Sequence, residues 1–270
     1  MDRRHVLAGT AGGLLTSLAG CLFELDRFEH QQRSEAKTYA VDDGTELSVD
    51  NPDGSITVEG TDEDVVEAEI TVHGPSNDDV ESVSIAATES DGELRLEPDT
   101  DGDVDFDRVT VGWTVTCPPD VAVARLETGS GSIEVRDVSG DPTLDTESGS
   151  LTAQNVAGAV SLSTGDGSIT ARNVDEIERA TTEDGSIEAD VAAVDGTVEI
   201  STEDGSIDAA LAPTLDATVT ATTEDGSVEV DGLELPEPTD SSVSGTLGDG
   251  THSLSLTTGD GSIELGALSA

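Results

Sequence analysis

Carboxylates that recur at a fixed place in a repeated phrase are the residues with the clearest potential for chemistry. Five aspartates directly precede the glycine of this phrase in the second half of the chain, and a glutamate precedes three of them: Asp166, Asp184, Asp204, Asp225 and Asp260, with Glu183, Glu203 and Glu224. Stacked repeats would bring these carboxylates within a few ångströms, and rows of oxygen atoms suit hard cations such as Ca²⁺ or Mg²⁺. A cation-binding edge is one hypothesis. The other, which we favour, is an acidic surface hydrated by ambient Na⁺ or K⁺, because the nonapeptide of calcium-binding β-rolls is absent.

Signals for catalysis are missing from the rest of the sequence. The four histidines are isolated, and no Cys/His metal spacing, nucleophile elbow or phosphate loop occurs: His5, His30, His73 and His252. Aromatic side chains, which sugar-binding grooves use for stacking, lie outside the repeats: Phe23, Phe28, Tyr39, Phe106 and Trp113. We therefore predict a non-catalytic protein with no cofactor beyond the candidate cations. A glycan-active β-helix enzyme is the least favoured alternative.

The acidic residues belong to a phrase, Thr-x-x-Gly-Ser-Ile, that recurs along the second half of the chain. Its glycines, which we call the glycine corners, are 18 to 35 residues apart: Gly131, Gly149, Gly167, Gly185, Gly205, Gly226 and Gly261. Gly54 marks an isolated early copy. Self-similarity at a nearly fixed period is typical of stacked architectures. The sequence predicts an all-β fold, a parallel β-solenoid (β-helix) of short coils of about 18–21 residues.

Residue types around the glycine predict which side chains face inward. Threonine stands three residues before every corner, and apolar residues stand five before, two after and four after it. These positions alternate with polar ones, as in strands with one buried face. Glycine can adopt positive φ in the turn. We expect the threonine hydroxyls to form a ladder between coils while their methyl groups pack inward.

Charge is the second extreme of this chain. Lys and Arg number 11 against 59 Asp and Glu, which gives a net charge of −48. Molar salt shortens the Debye length to about 3 Å and would screen the resulting repulsion. The composition resembles that of salt-adapted haloarchaeal proteins. It also excludes nucleic acid as a partner, because no basic stripe is present.

The N-terminus has the order of an export signal followed by a lipid-attachment site. Arg3 and Arg4 form a twin arginine before an uncharged run that is too short to span a bilayer. The run ends in Leu-Ala-Gly-Cys, which resembles a lipobox with Cys21 as the anchor. We expect a protein exported through the twin-arginine route and anchored to the outer face of the cytoplasmic membrane. Cys117 is then the only other cysteine, and its apolar surroundings favour a small buried hydrophobe over a reactive thiol.

Composition divides the chain into four segments. Residues 1–20 are predicted to be the signal, 21–38 a membrane tether, 39–125 an irregular N-terminal β region that caps the solenoid, and 126–270 the repeats. Prolines interrupt the repeats, and residues 235–256 are predicted to form an irregular coil or hairpin.

The repeats, the early Asn51-Pro-Asp-Gly-Ser-Ile-Thr-Val58 and the Val-Thr-Cys-Pro-Pro119 segment resemble the "putative-adhesin" family of β-strand-repeat domains of unknown function. The resemblance covers about residues 39–270 and implies a β-solenoid on the cell envelope, without catalytic residues. We expect a lipid-anchored surface protein with a structural or adhesive role, whose partners are the membrane and a cell-surface or envelope protein or polysaccharide. An envelope binding or sensing module that acts with a membrane partner is the alternative.

Overall fold

The computed structural model describes residues 31–102 and 104–269 and shows an almost entirely β structure. Within these residues the one helix, α1 (Asn77–Glu81), is a single short turn capped by the Ser76 hydroxyl, which accepts the Asp79 N–H at 3.2 Å. The N-terminal strands are β1 (Gln31–Tyr39), β2 (Glu46–Asn51), β3 (Ile56–Gly60), β4 (Val66–Gly74), β5 (Val83–Ser90), β6 (Glu93–Thr100) and β7 (Thr110–Cys117). The prediction of an all-β, solenoid-like chain is confirmed.

Strands of the repeat region follow the repeated phrase, with a glycine corner between the strands of a coil. They are β8 (Ala122–Ser130), β9 (Ile133–Ser139), β10 (Thr143–Ser148), β11 (Leu151–Asp166), β12 (Ile169–Asp184), β13 (Ile187–Val191), β14 (Thr197–Asp204), β15 (Ile207–Leu211), β16 (Ala217–Asp225), β17 (Val228–Asp231), β18 (Ser242–Leu247), β19 (His252–Asp260) and β20 (Ile263–Ala267). Strands β11 and β12 each continue without a break from one coil into the next.

Equivalent residues of successive repeats are partners in parallel ladders. Leu144 pairs with Leu126 on one side and Leu162 on the other, and Ile169 pairs with Leu151 and Ile187. All of these side chains are buried, because the period-two pattern sends the same columns inward in every coil. Valine, isoleucine, leucine and alanine therefore form a narrow continuous core.

The coils at the C-terminal end do not stack in sequence order. Strand β19 pairs in parallel with β14 on one side and β16 on the other, and β20 lies in the same way between β15 and β17. Strand β18 pairs antiparallel with the other edge of β16. Residues 235–256 were predicted to form an irregular coil or hairpin, but β18 and β19 lie on opposite sides of β16 and do not pair with each other. These residues supply an edge strand and then cross β16 to enter the stack.

The early copy of the phrase is a full member of the stack rather than an isolated turn. Strand β2 pairs in parallel with β8, and β3 pairs in parallel with β9. A Cβ atom on Gly131 would lie 2.5 Å from the carbonyl carbon of Gly54. The first coil therefore comes from residues that the sequence assigned to the cap.

Beyond this coil, β6 and β7 pair with β2 and β3, and β4 joins β7. Strand β1 adds to β4 as an antiparallel partner, so residues 31–38 belong to the sheet and not to the predicted tether. Side-chain hydrogen bonds also attach β1 to β5. Arg33 donates to the carbonyl oxygen of Val83, and Lys37 donates to that of Ile85 at 2.7 Å.

Candidate functional site

Each inward-facing threonine binds the glycine corner of the neighbouring coil. The Oγ1 of Thr164 donates to the carbonyl oxygen of Gly149 at 2.9 Å, and Thr182 donates to Gly167 at the same distance. The bond recurs through the stack: Thr128 to Gly54, Thr146 to Gly131, Thr202 to Gly185, Thr258 to Gly205 and Thr223 to Gly261. The hydroxyls therefore donate to backbone oxygens and do not form the expected ladder with each other.

A buried asparagine replaces threonine at the N-terminal end of this column. The Nδ2 of Asn51 donates to the carbonyl oxygens of Gly54 and Val111, both at 2.9 Å. Its Oδ1 accepts the indole N–H of Trp113 at 3.3 Å, and both side chains are almost fully buried. An amide can satisfy more partners than a hydroxyl, so asparagine fits the coil where the regular stack meets β7. Trp113 is thus a core residue and not a ligand platform.

The acidic row consists of Asp166, Asp184, Asp204, Asp260 and Asp225, in this spatial order along the stack. Each is the ladder partner of the next. Partial desolvation, followed by the charges of Asp260 and Asp184, raises the pKa of the Asp204 carboxyl above its ordinary value. The fold therefore brings together the carboxylates that the sequence singled out, and they repel each other there.

Beside the acidic row, the glutamates line a groove of about 620 Å³. Glu183 and Glu203 lie on one side and Glu224 on the other, and Gly259 of the inserted coil lies between Glu203 and Glu224. Carboxylates in such an open groove attract cations. Even so, among residues 31–102 and 104–269 no group of His, Cys, Asp or Glu has an arrangement that could hold a metal ion. The cation-binding edge stays a prediction.

A family model for the Toastrack DUF4097 domain matches residues 28–266, nearly the whole chain. The chain belongs to this family. Solved structures similar to it include a putative cell adhesion protein from Clostridium sporogenes, with 14% identity, a TM-score of 0.34 and coverage of 88% of this chain and 100% of that one. A putative adhesin from Bacteroides fragilis shows 11% identity and a TM-score of 0.41, over 86% of this chain and 97% of that one.

A third, a putative lipid binding protein from Parabacteroides distasonis, shows 14% identity and a TM-score of 0.40, over 86% of this chain and 96% of that one. No curated protein matches the sequence at a significant level. The expected resemblance to a β-repeat family of unknown function is confirmed by the Toastrack match.

The Toastrack stack holds one further row of polar residues that the sequence reasoning missed. Asn155 donates from Nδ2 to Asp137 Oδ1 at 2.7 Å, and Asn173 donates to Asn155 Oδ1 at 2.7 Å. The φ angles of Asp137, Asn155 and Asn173 are 56°, 54° and 50°, the left-handed region that asparagine and aspartate tolerate best after glycine. Their 18-residue spacing, six residues after the glycine corners, is the signal that could have revealed this second corner.

Two other groups of the Toastrack chain have structural roles. Cys117 is buried at the end of β7, and desolvation raises its pKa to about 11, in agreement with the predicted hydrophobe. His252 accepts the backbone N–H of Gly196 through Nδ1 at 2.8 Å. An imidazole fixed in this way joins neighbouring coils.

Arg3, Arg4 and Cys21, the predicted export and anchor residues, lie outside the residues that the structure describes. Within the described residues, no helix is long and apolar enough to cross a bilayer.

Proposed function

We propose that this Toastrack chain is a non-catalytic, lipid-anchored surface protein of a salt-adapted cell, in which a stack of parallel coils has a structural or adhesive role. The observation that carries the proposal is the order of its parts. A twin arginine, an uncharged run and a lipobox-like cysteine come first, and stacked repeats with an acidic face follow. An anchor at one end of a rod suits a part that projects from the membrane.

The polar groups inside the stack support a non-catalytic role because structural hydrogen bonds occupy them. The threonine column holds the glycine corners, and Asn51 joins Trp113 to the backbone. Outside, carboxylates are the most frequent functional groups, and no Phe, Tyr or Trp occurs in residues 126–270. Contacts made through this face would therefore be polar and mediated by mobile cations, without ring stacking.

The anchor is tested by fractionation of cells that express a Cys21→Ser variant. We expect the variant in the medium and the wild-type protein in the membrane fraction. Cys117→Ser is the matched control, because it removes the other cysteine and should leave the protein in the membrane fraction. Membrane retention of the Cys21→Ser variant would contradict the anchor.

The adhesive role is tested with beads that carry the purified protein in molar KCl. Beads should attach to cells or envelope fractions, and a variant with Asp184→Asn, Asp204→Asn and Asp260→Asn should attach less. Equal attachment by a variant with an unchanged circular dichroism spectrum would exclude the acidic row as the contact surface. No attachment by either protein would leave the structural role as the proposal.

A further inference from the structure

The C-terminal coil, β19 with β20, fills a slot inside the stack. The inner coil, β14 with β15, forms one wall, and the outer coil, β16 with β17, forms the other. The register of all three coils is that of the repeat: Thr258 pairs with Thr202 and Thr223, and Ile263 pairs with Ile207 and Val228. The slot thus holds one copy of the repeated phrase, paired in register on both sides.

Bulk distinguishes the last coil from the outer coil. It contributes four large apolar side chains that are 0% exposed: Leu254, Leu256, Ile263 and Leu265. The outer coil has smaller residues at equivalent columns, such as Val219 and Ala221, and its Val230 is only partly buried. If the coils stacked in sequence order, these side chains would occupy the outer position, where β18 covers β16 but Val230, the counterpart of Leu265, is only partly buried.

A short linker carries the chain from the edge of the stack into the slot. Leu247 of β18 and His252 of β19 are both ladder partners of Ala217, on opposite sides of β16. Residues 248–251 cross over the start of β16, where Asp216 accepts the Thr251 N–H at 3.1 Å and its hydroxyl at 2.9 Å. These hydrogen bonds stabilise the linker, whereas the walls of the slot pair with the coil itself.

We propose that the slot accepts residues 252–267 of a second copy of this chain as well as its own, so that two chains exchange their C-terminal coils. An exchanged coil makes the same ladders and buries the same side chains, and only the crossing linker has to change. Because the exchange concerns the folded domain alone, it is independent of the proposed anchor and surface role.

Linker length allows a sharp test of the exchange. Two strand spacings of about 4.8 Å place Leu247 and His252 about 9.6 Å apart. The natural five Cα steps reach up to about 17 Å, but deletion of residues 248–250 leaves two steps, which reach at most about 7 Å. The deletion variant can no longer fill its own slot. We expect its apparent mass in molar KCl to double, as measured by light scattering after gel filtration.

Engineered cysteines show whether the coil is exchanged in that dimer. The Oγ atoms of Ser227 in the outer coil and Ser262 in the C-terminal coil lie 3.2 Å apart. A deletion chain with Ser227→Cys and one with Ser262→Cys, both with Cys21→Ser, are refolded together and oxidised. A disulfide between the two chains is the expected result. The matched control uses Ser132→Cys and Ser150→Cys, which lie on adjacent coils outside the slot and should not crosslink between chains.

Two results would overturn the proposal: a folded monomer whose residues 252–267 are released by protease, or a dimer without the disulfide between chains. If the deletion variant does not fold, chains with the natural linker and the same cysteines are mixed, unfolded and refolded at high concentration. The disulfide between chains then supports the exchange, and its absence overturns it.

Discussion

Gly167→Ala tests whether the corners require glycine because adjacent coils lie too close together for a side chain. A Cβ atom on Gly167 would lie 2.2 Å from the carbonyl oxygen of Gly149, whereas an ordinary contact starts at 3.4 Å. The two coils would have to separate locally by about 1.2 Å. The φ of Gly167 is +154°, so the alanine would also adopt a conformation that L-residues rarely populate.

The expected loss in the free energy of unfolding follows from the hydrogen bonds beside this corner. Gly149 N–H donates to Asp166 at 2.7 Å and Leu151 N–H donates to Ser168 at 3.0 Å. Separation of the coils would lengthen both bonds beyond the usual limit of about 3.2 Å. Two such bonds contribute about 1–3 kcal/mol together, and the backbone strain adds about 1–2 kcal/mol. We expect Gly167→Ala to lower the free energy of unfolding by about 3 kcal/mol.

Urea-induced unfolding in molar KCl, followed by far-ultraviolet circular dichroism, measures this change. Gly92→Ala is the matched control. Gly92 also has a positive φ, of +87°, but a Cβ atom added there would meet no atom within 4 Å beyond its own chain neighbours. The control should therefore cost only the backbone strain, about 1 kcal/mol. If Gly167→Ala costs no more than Gly92→Ala, close coil packing is not the reason for glycine at the corners.

Three further substitutions test the interior and the acidic face. Thr164→Val keeps the shape but leaves a backbone oxygen without its donor, and should cost about 1–2 kcal/mol in urea unfolding, against less than about 0.5 kcal/mol for the half-buried Thr170→Val. Asn51→Leu removes four side-chain hydrogen bonds and should cost about 3 kcal/mol, with a shift in the emission of the single tryptophan; an unchanged melting temperature would contradict the buried network. The pKa of Asp204 is raised in the folded protein, so the ionised carboxylate destabilises the fold at pH values above that pKa. This destabilisation is lost as the pH falls through the pKa and the carboxyl becomes protonated. Asp204→Asn should therefore raise the melting temperature at pH 7 in low salt and have little effect in molar KCl; an equal gain at both salt concentrations would exclude charge repulsion as the cause.

The inward columns could be predicted from the sequence because the 18-residue spacing and the period-two alternation agree. Thr164, Leu162 and Ile169 are buried as their columns require. Strand β1 was missed for a different reason. This strand is held by charged side chains: Arg33 and Lys37 donate hydrogen bonds to backbone oxygens of β5. A search for alternating hydrophobic residues cannot reveal such a role.

The order of the coils could not be predicted, because every coil presents the same columns to its neighbours. Ile263 forms an equally good ladder with Ile207, with Val228 or with both, and the repeated phrase cannot distinguish these arrangements. The coils differ instead in bulk, since Leu254 and Leu256 of the C-terminal coil stand beside the smaller Val219 and Ala221 of the outer coil. These properties emerge only when whole coils are compared.

Coil order also determines the character of the acidic face. In sequence order, Glu203 would neighbour Glu224, and Asp204 would neighbour Asp225. The inserted coil instead places Gly259 between the two glutamates and Asp260 between the two aspartates. The backbones of the two glutamates are thereby two strand spacings apart, about 9.6 Å. The greater distance weakens the repulsion between their carboxylates and leaves room for the groove. The groove therefore exists only while a C-terminal coil occupies the slot, and any cation or partner that binds this groove would favour the inserted state.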